Sequence, residues 1–588
     1  MALSGISVIS LSSRKSYLAC LLAFVGAAIT ATHMAFYVNK ATLNVLYQDD
    51  IRETQFVQSI SEGKVSLLRV LWMPDNIVFR TPLGRLMTLA NVKLFHWNAQ
   101  YELYSGAFYS AIIVAVSILI LSQCVRNDQF YSFSVILGAL IITFIASSLT
   151  DWENHVFNAG VYQLLQAASF ISTAALLSQA VQKPSSMRLL VYALATVWSI
   201  LFATSIYSVA FGFASVVVLF GLVTLRLVDK KIIAMLIGLN VSSLAIYLFG
   251  INLGSGANKI PFVELFVLRA RIFLEVFTAG LLHNEKISGP AGPIFQCAVG
   301  LFIIGMLITT TLALLRHCKE NKALVAPLLL MTYSIVVAAM IAYGRTMFGA
   351  EAGLASRYAS QTQLGLIGLV VATLFIRGRS SPVIRQTLLL LLSFILVSSV
   401  LSNRSEWRIA PYRHENYKKL ESMTLTPQLF PDKDFQMFQD GTTPADIAAI
   451  KGAINIWRAY RLGPYGSIGH TLASATLLSG WYGWEGNQIW MGKESEAYFL
   501  TGPLGEMSLS AYLPAPYIPN GITLFIDGRR LKKYKIKTNQ IQINAEGLPQ
   551  NSIVKLKILV DKSFVPLKIG RGSDSRELGL LISNITFL

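Results

Sequence analysis

The chain has 588 residues, 54% of them hydrophobic and only 14% charged, where soluble domains carry roughly 25% charged residues. Its net charge of +18 would suit a nucleic-acid partner. Many of the basic residues, however, stand in short turns between apolar stretches, where they set the orientation of a membrane protein. Nucleic acid is therefore not expected as a partner, and membrane lipids are.

Eleven apolar stretches lie between residues 16 and 402, each read as a crossing of a hydrocarbon core about 30 Å thick, which takes roughly 17–25 residues. The first, 16–38, follows Arg14 and Lys15 and has no small-residue cleavage site after it. It reads as a retained helix with a cytoplasmic N-terminus. The others are expected at 106–123, 130–150, 161–181, 188–204, 207–225, 232–250, 293–315, 323–343, 361–376 and 386–402. Alternate turns are short and basic: Arg126; Lys183 with Arg188; Arg226 with Lys230 and Lys231; Arg316 with Lys319 and Lys322; Arg377, Arg379 and Arg385. Positive charge collects on the cytoplasmic side, so the loops at 39–105, 151–160, 251–292 and 344–360 and the tail are expected on the opposite side. Cys20, Cys124, Cys297 and Cys318 fall in or beside the apolar stretches, leaving the long loops and the tail without a disulfide framework.

Near Arg404 the chain turns polar, with 444–462 as its best helical stretch. From about 479 onward, short alternating runs separated by turn residues predict a small all-β sandwich of jelly-roll type, and Asp527-Gly528 between two such runs marks a hairpin. The expected organisation is a polytopic α-helical membrane domain over 1–402, a linker with a helical segment over 403–478, and a β-sandwich over 479–588, the last two on the non-cytoplasmic side. The segment 261–277, with Glu264, Arg269, Arg271 and Glu275 among apolar residues, reads as an amphipathic interfacial helix.

Chemistry is sought in the outer loops. Asp49, Asp50 and Arg52 follow the first span closely, and a carboxylate held at the headgroup level can take a proton from an incoming hydroxyl. Helix capping or hydration is the structural alternative. Asp75-Asn76 with Arg80 and Arg85 form a second group, in which the arginine forks suit phosphate oxygens, with internal ion pairing as the alternative. In the turn DWENH (151–155), Glu153 and His155 beside Asp151 can hydrogen-bond a sugar while Trp152 stacks on its ring. Asp, Glu and His there also allow a metal, but no second cluster of ligand spacing supports one, and none is assigned, although a divalent ion is not excluded. In 344–360, Arg345 and Arg357 run against the orientation bias and point to an anionic ligand, with Tyr358 as a stacking or hydrogen-bonding face.

The loops carrying QDDIRE, LWMPDNIVFRTPLGRLM, DWENHVF and GR…ASRY resemble those of the GT-C class of integral-membrane glycosyltransferases, in particular bacterial members that modify O-antigen of lipopolysaccharide or other surface glycans. The tail segments GWYGWEGNQIWMG and SFVPLKIGRGSDSRELGLLISNITF look like a lectin-like accessory β-sandwich. The resemblance implies a hexosyltransferase of a bacterial inner membrane, with the outer loops and the tail in the periplasm, that uses a polyprenyl-phosphate sugar as donor and a lipid-linked or surface glycan as acceptor. It implies no cofactor, and a flippase and a polyprenyl-phosphate sugar synthase as possible partners. It places the base at Asp50 or Asp75. Related sequences carry an acid followed by His-Arg where this chain has Asp75-Asn76-Ile77, which favours Asp50. Asp49, Arg52, Arg80, Arg85, Glu153, His155, Arg345, Arg357 and Tyr358 would bind substrate, and Trp484 and Trp490 would contact glycan weakly. Trp481 and Glu485 lie in the same segment, and Asp574 with Arg576 reads as a structural ion pair. An O-antigen polymerase or ligase is the alternative activity. A lipid-linked glycan transporter ranks below both, because the spans are nearly free of charge.

Overall fold

The computed structural model describes residues 14–588 apart from 73–79, 126–132, 204–206, 252–260, 283–291, 378–381, 426, 428–429, 440–442, 468–470, 473–474, 519 and 571. Among these residues nine helices are long and apolar enough to cross a membrane. Two shorter apolar segments, Val135–Asp151 and Ser186–Phe202, complete a set that matches the eleven expected spans one for one. The chain forms two compact units. The first holds residues up to Tyr417 except 44–46 and 94–98, and the second holds those two short pieces with Lys418–Leu588.

In the first unit, α1 (Arg14–Ala41) packs along α5 (Ala99–Cys124), and three shorter helices, α2 (Asp50–Ser61), α3 (Leu67–Trp72) and α4 (Pro82–Phe95), lie between them in sequence. The bundle continues with α6 (Phe133–Ala146), α7 (Asn158–Gln182), α8 (Ser186–Val197), α9 (Tyr207–Thr224), α10 (Lys230–Leu248), α11 (Phe262–Ala279), α12 (Gly292–His317), α13 (Val325–Gly344) and α14 (Ala359–Arg377). Its core is aliphatic and aromatic, with Phe170 stacked on Phe211 at 4.5 Å and Tyr333 edge-on to both. At one end, Lys15 Nζ donates to the Val125 carbonyl (2.7 Å) and Asn321 Nδ2 to the Cys124 carbonyl (2.8 Å), tying basic turns together. The loops with the candidate site residues gather at the opposite end, as the alternation of turns requires.

Two boundaries differ from the sequence reading. α5 begins at Ala99 rather than 106, because Glu102 in its first turn is buried against Asn91 and does not interrupt the helix. α15 (Pro382–Leu425) runs on past residue 402 for 44 residues in all. Ser402, Ser405, Glu406, Ala410, Tyr417, Leu420, Met423 and Thr424 are buried along it at spacings of mostly three and four, so a continuous helical stripe persists after the exposed residues turn polar. α11 buries its second half, Ile272 and Glu275–Ala279, and exposes Phe262, Val263, Phe266 and Val267 in its first half.

The second unit contains α16 (Pro444–Tyr460), opened by a capping box between Thr443 and Asp446, and an antiparallel eight-stranded sheet that nearly closes into a barrel-like sandwich. Its strands are β1 (Thr476–Glu485), β2 (Gln488–Leu500), β3 (Met507–Tyr512), β4 (Asn520–Ile526), β5 (Arg529–Ile536), β6 (Gln540–Ala545), β7 (Ile553–Val560) and β8 (Leu581–Phe587). They pair in the order β5-β4-β7-β2-β8-β3-β6, with β1 on β2. Alternate residues such as Leu509, Ile543, Leu556, Ile558 and Ile585 fill one core. Asp527 (φ 49°) and Gly528 (φ 80°) form the two-residue turn between β4 and β5, as Asp-Gly predicts.

Candidate functional site

The chain leaves α1 at Ala41 and turns through Tyr47 into α2, whose first residue is Asp50. That carboxylate is 5% exposed. It accepts from the Tyr47 amide (2.9 Å) and from Asn158 Nδ2 at the start of α7 (3.2 and 3.3 Å). One turn on, Glu53 faces Arg85 of α4 (3.8 Å), and the Arg85 guanidinium lies over the Phe56 ring at 5.4 Å. Glu102 of α5 accepts from Asn91 Nδ2 (2.9 Å). Tyr162 of α7 lies within electrostatic range of Asp50, Glu53 and Glu102, and its hydroxyl bonds to Thr88 Oγ1 at 2.7 Å. α4 reaches this place only because residue 84 is glycine: a Cβ there would stand 2.8 Å from the Tyr162 ring. Burial pushes the Asp50 carboxyl well above the usual carboxylate range, and the charges of Glu102 and Glu53 push the same way against the Tyr47 and Asn158 bonds.

The turn 151–155 and the segment 344–360, separate in sequence, meet. Glu153 accepts from the Arg357 amide (2.9 Å), faces the Arg357 guanidinium (3.7 Å) and donates its own amide N–H to Ser356 Oγ (3.1 Å). Asn154 Nδ2 donates to the Arg357 carbonyl and to Ser360 Oγ. Arg345 and Arg357 flank the buried Tyr358 ring at 5.7 and 5.5 Å. Arg269 of α11 joins them, lying over the Tyr343 ring at 4.5 Å and donating to Thr346 Oγ1. The Arg357 side chain is 40% exposed, so this cluster of three cations stays open to an anionic group. A few residues link the two groups, since Glu153 and Asn154 serve one and Asn158 the other. Between them Tyr47, Trp152 and Phe157 are half-buried, with ring centroids 5.0 Å (Tyr47–Phe157) and 6.0 Å (Trp152–Phe157) apart.

Other expected residues are placed elsewhere. Asp49 and Arg52 pair with each other at the partly exposed start of α2. Arg80 is buried and directs its guanidinium to the carbonyls of Trp72 (2.9 Å), Tyr247 and Phe249, closing the C-terminal end of α10. His155 is wholly buried with Nε2 3.3 Å from Asp151. Asp75 and Asn76 lie outside the described residues. In the β unit Trp484 is 47% exposed near the tip of the β1–β2 hairpin, whereas Trp490 packs edge-on against Phe564 at 6.0 Å. Trp481 donates to the Glu496 carbonyl, and Arg576 bridges Asp574 (2.6 Å) and Glu485 (2.9 Å).

One buried network escaped the sequence reading. Glu406 on α15 is 0% exposed and accepts from Tyr37 of α1 (2.7 Å) and from Arg413 one helical stretch further on (2.5 and 3.0 Å). The Arg413 guanidinium lies 3.3 Å from the Trp152 ring centroid. The Tyr417 hydroxyl donates to the Val156 carbonyl. α15 thus grips the 151–156 turn from behind. Among the described residues no group of three or more His, Cys, Asp or Glu side chains is placed to hold a metal ion.

No family model matches the chain, and no curated protein matches it in sequence.

Proposed function

We propose that the protein is a membrane glycosyltransferase that moves a hexose from a polyprenyl-phosphate carrier to a surface glycan such as O-antigen on the periplasmic face. The observation that carries this reading is the buried Asp50 carboxylate with a raised pKa, held by Asn158, a few residues along the chain from Glu153, which holds Arg357 of an open arginine cluster. Asp50 accepts the proton of the acceptor hydroxyl as its oxygen bonds to the sugar C1. The bond from C1 to the carrier phosphate breaks, and Arg357 and Arg345 balance the charge that collects on the departing phosphate. Tyr47, Trp152 and Phe157 offer half-buried ring faces and edges for the sugar between these groups. A polymerase or ligase would use the same outer arginines, and product mass separates the activities: deleting the gene removes one hexose per repeat in the first case and changes chain length in the second.

Arg357→Lys is expected to lose most activity at matched protein level, because a point charge does not reproduce a bidentate fork. Glycan mass in a null strain complemented with the variant checks it, and full activity would reduce Arg357 to a lipid contact. The orientation proposed from the basic turns has its own check. A phosphatase fused after Leu588 is expected to be active, and strong activity of a cytoplasm-only reporter there would overturn it.

A further inference from the structure

The β4–β5 hairpin carries an uneven charge. Arg529, Arg530, Lys532, Lys533, Lys535 and Lys537 are all exposed on β5 or just past it. Strand β5 is one edge of the sheet. Two strands inward, β7 also bears lysines, but there Lys555 pairs with Glu496 (2.8 Å) and Lys557 with Glu494 (2.5 Å) on the neighbouring β2. On β5, among the described residues, Lys533 alone has a carboxylate partner, Asp561 at 2.7 Å. Lys532 Nζ lies 5.3 Å from the Tyr534 ring centroid. Charged edge strands commonly guard against edge-to-edge pairing, and one or two lysines suffice for that. Six cations in nine residues (529–537) with one counter-charge exceed it.

We infer that the β5 edge is a docking surface for an anionic phospholipid bilayer. Polybasic segments near an anionic headgroup layer are attracted cation by cation, with no need of a shaped pocket. The chain's own membrane-crossing helices keep the domain tethered to a bilayer, so the lipid is present at high effective concentration whatever the intrinsic affinity. The inference is independent of the transfer reaction.

The test uses the full chain in nanodiscs of zwitterionic lipid and in nanodiscs enriched in an anionic phospholipid. The readout is the rate of amine labelling at Lys532, Lys535 and Lys537 by mass spectrometry, with Lys555 and Lys557 as internal references. In anionic discs labelling of the β5 lysines is expected to slow at least about fivefold, the factor that one engaged cation is worth. In about 1 M salt, where the screening length is about 3 Å, the protection is expected to vanish. The variant Arg529→Gln with Arg530→Gln, both exposed, is expected to lose most of the protection while keeping the reference rates. Equal labelling in both lipids overturns the inference. So does protection that appears only when a soluble anionic polysaccharide is added to zwitterionic discs, which would assign the strip to a glycan.

Discussion

Asp50→Asn is expected to abolish the proposed glycan transfer while leaving the protein expressed and inserted. Amide and carboxylate are nearly isosteric, and an amide can still receive the Tyr47 bond, so the fold is preserved. What is lost is the proton acceptor, worth about 10²–10⁴-fold in rate. The check is glycan mass in a null strain complemented at matched protein level. Asp75→Asn is expected to impair transfer as well, and Asp49→Asn less, since Asp49 is occupied with Arg52 near the surface. The pH profile gives a second, independent mark. The base works deprotonated, and burial followed by the Glu102 charge raises the Asp50 pKa. Activity should therefore fall on acidification already at a pH well above the ordinary carboxylate range near 4. Glu102→Gln removes a like charge and shifts that limb of kcat/KM to lower pH. If Asp50→Asn and Asp75→Asn both complement like the parent, the catalytic reading of the first loop is wrong and Glu153 is the next base to test.

The largest stability effect is expected at Arg413. Replacing it with Met leaves Glu406, 0% exposed, without its bidentate partner. Breaking one side of a buried ion pair costs about 3–5 kcal/mol. Thermal unfolding of the purified protein reads this directly. Combining Arg413→Met with Glu406→Gln removes both charges and keeps an acceptor for the Tyr37 hydroxyl, and most of the loss should be recovered. A single variant as stable as the parent would show that the pair contributes nothing net.

The eleven spans and the β-rich tail were legible because apolar length and two-residue alternation are strong local signals, and the Asp527-Gly528 turn carries its conformation in its own two residues. The sequence also marked Asp50, Arg85, Glu153 and Arg357 as polar residues in the outer loops. That the 151–155 turn and the 356–360 segment bond to each other is a tertiary fact with no local trace. Glu102 and Asn158 were hidden because both open long helices, where a polar residue reads as a cap. Glu406 and Arg413 were missed for a different reason: the rise in polarity near Arg404 looked like a change of domain, although the buried positions at spacings of three and four continued beneath it. Arg80 shows the converse. Arginine in an outer loop suggested a phosphate ligand, and only the fold reveals the helix end it closes.

The unbroken α15 has a mechanical consequence. At 1.5 Å per residue its 44 residues span at most about 66 Å, with Pro411 inside the helix between Glu406 and Arg413; the hydrocarbon thickness is about 30 Å. Its emergent half carries Glu406, Arg413 and Tyr417, the residues that grip Tyr37, Trp152 and the Val156 carbonyl. The turn that holds Glu153 is thus braced by a helix and not by a loop, with Arg413 and Tyr417 both set against it from beyond Pro411.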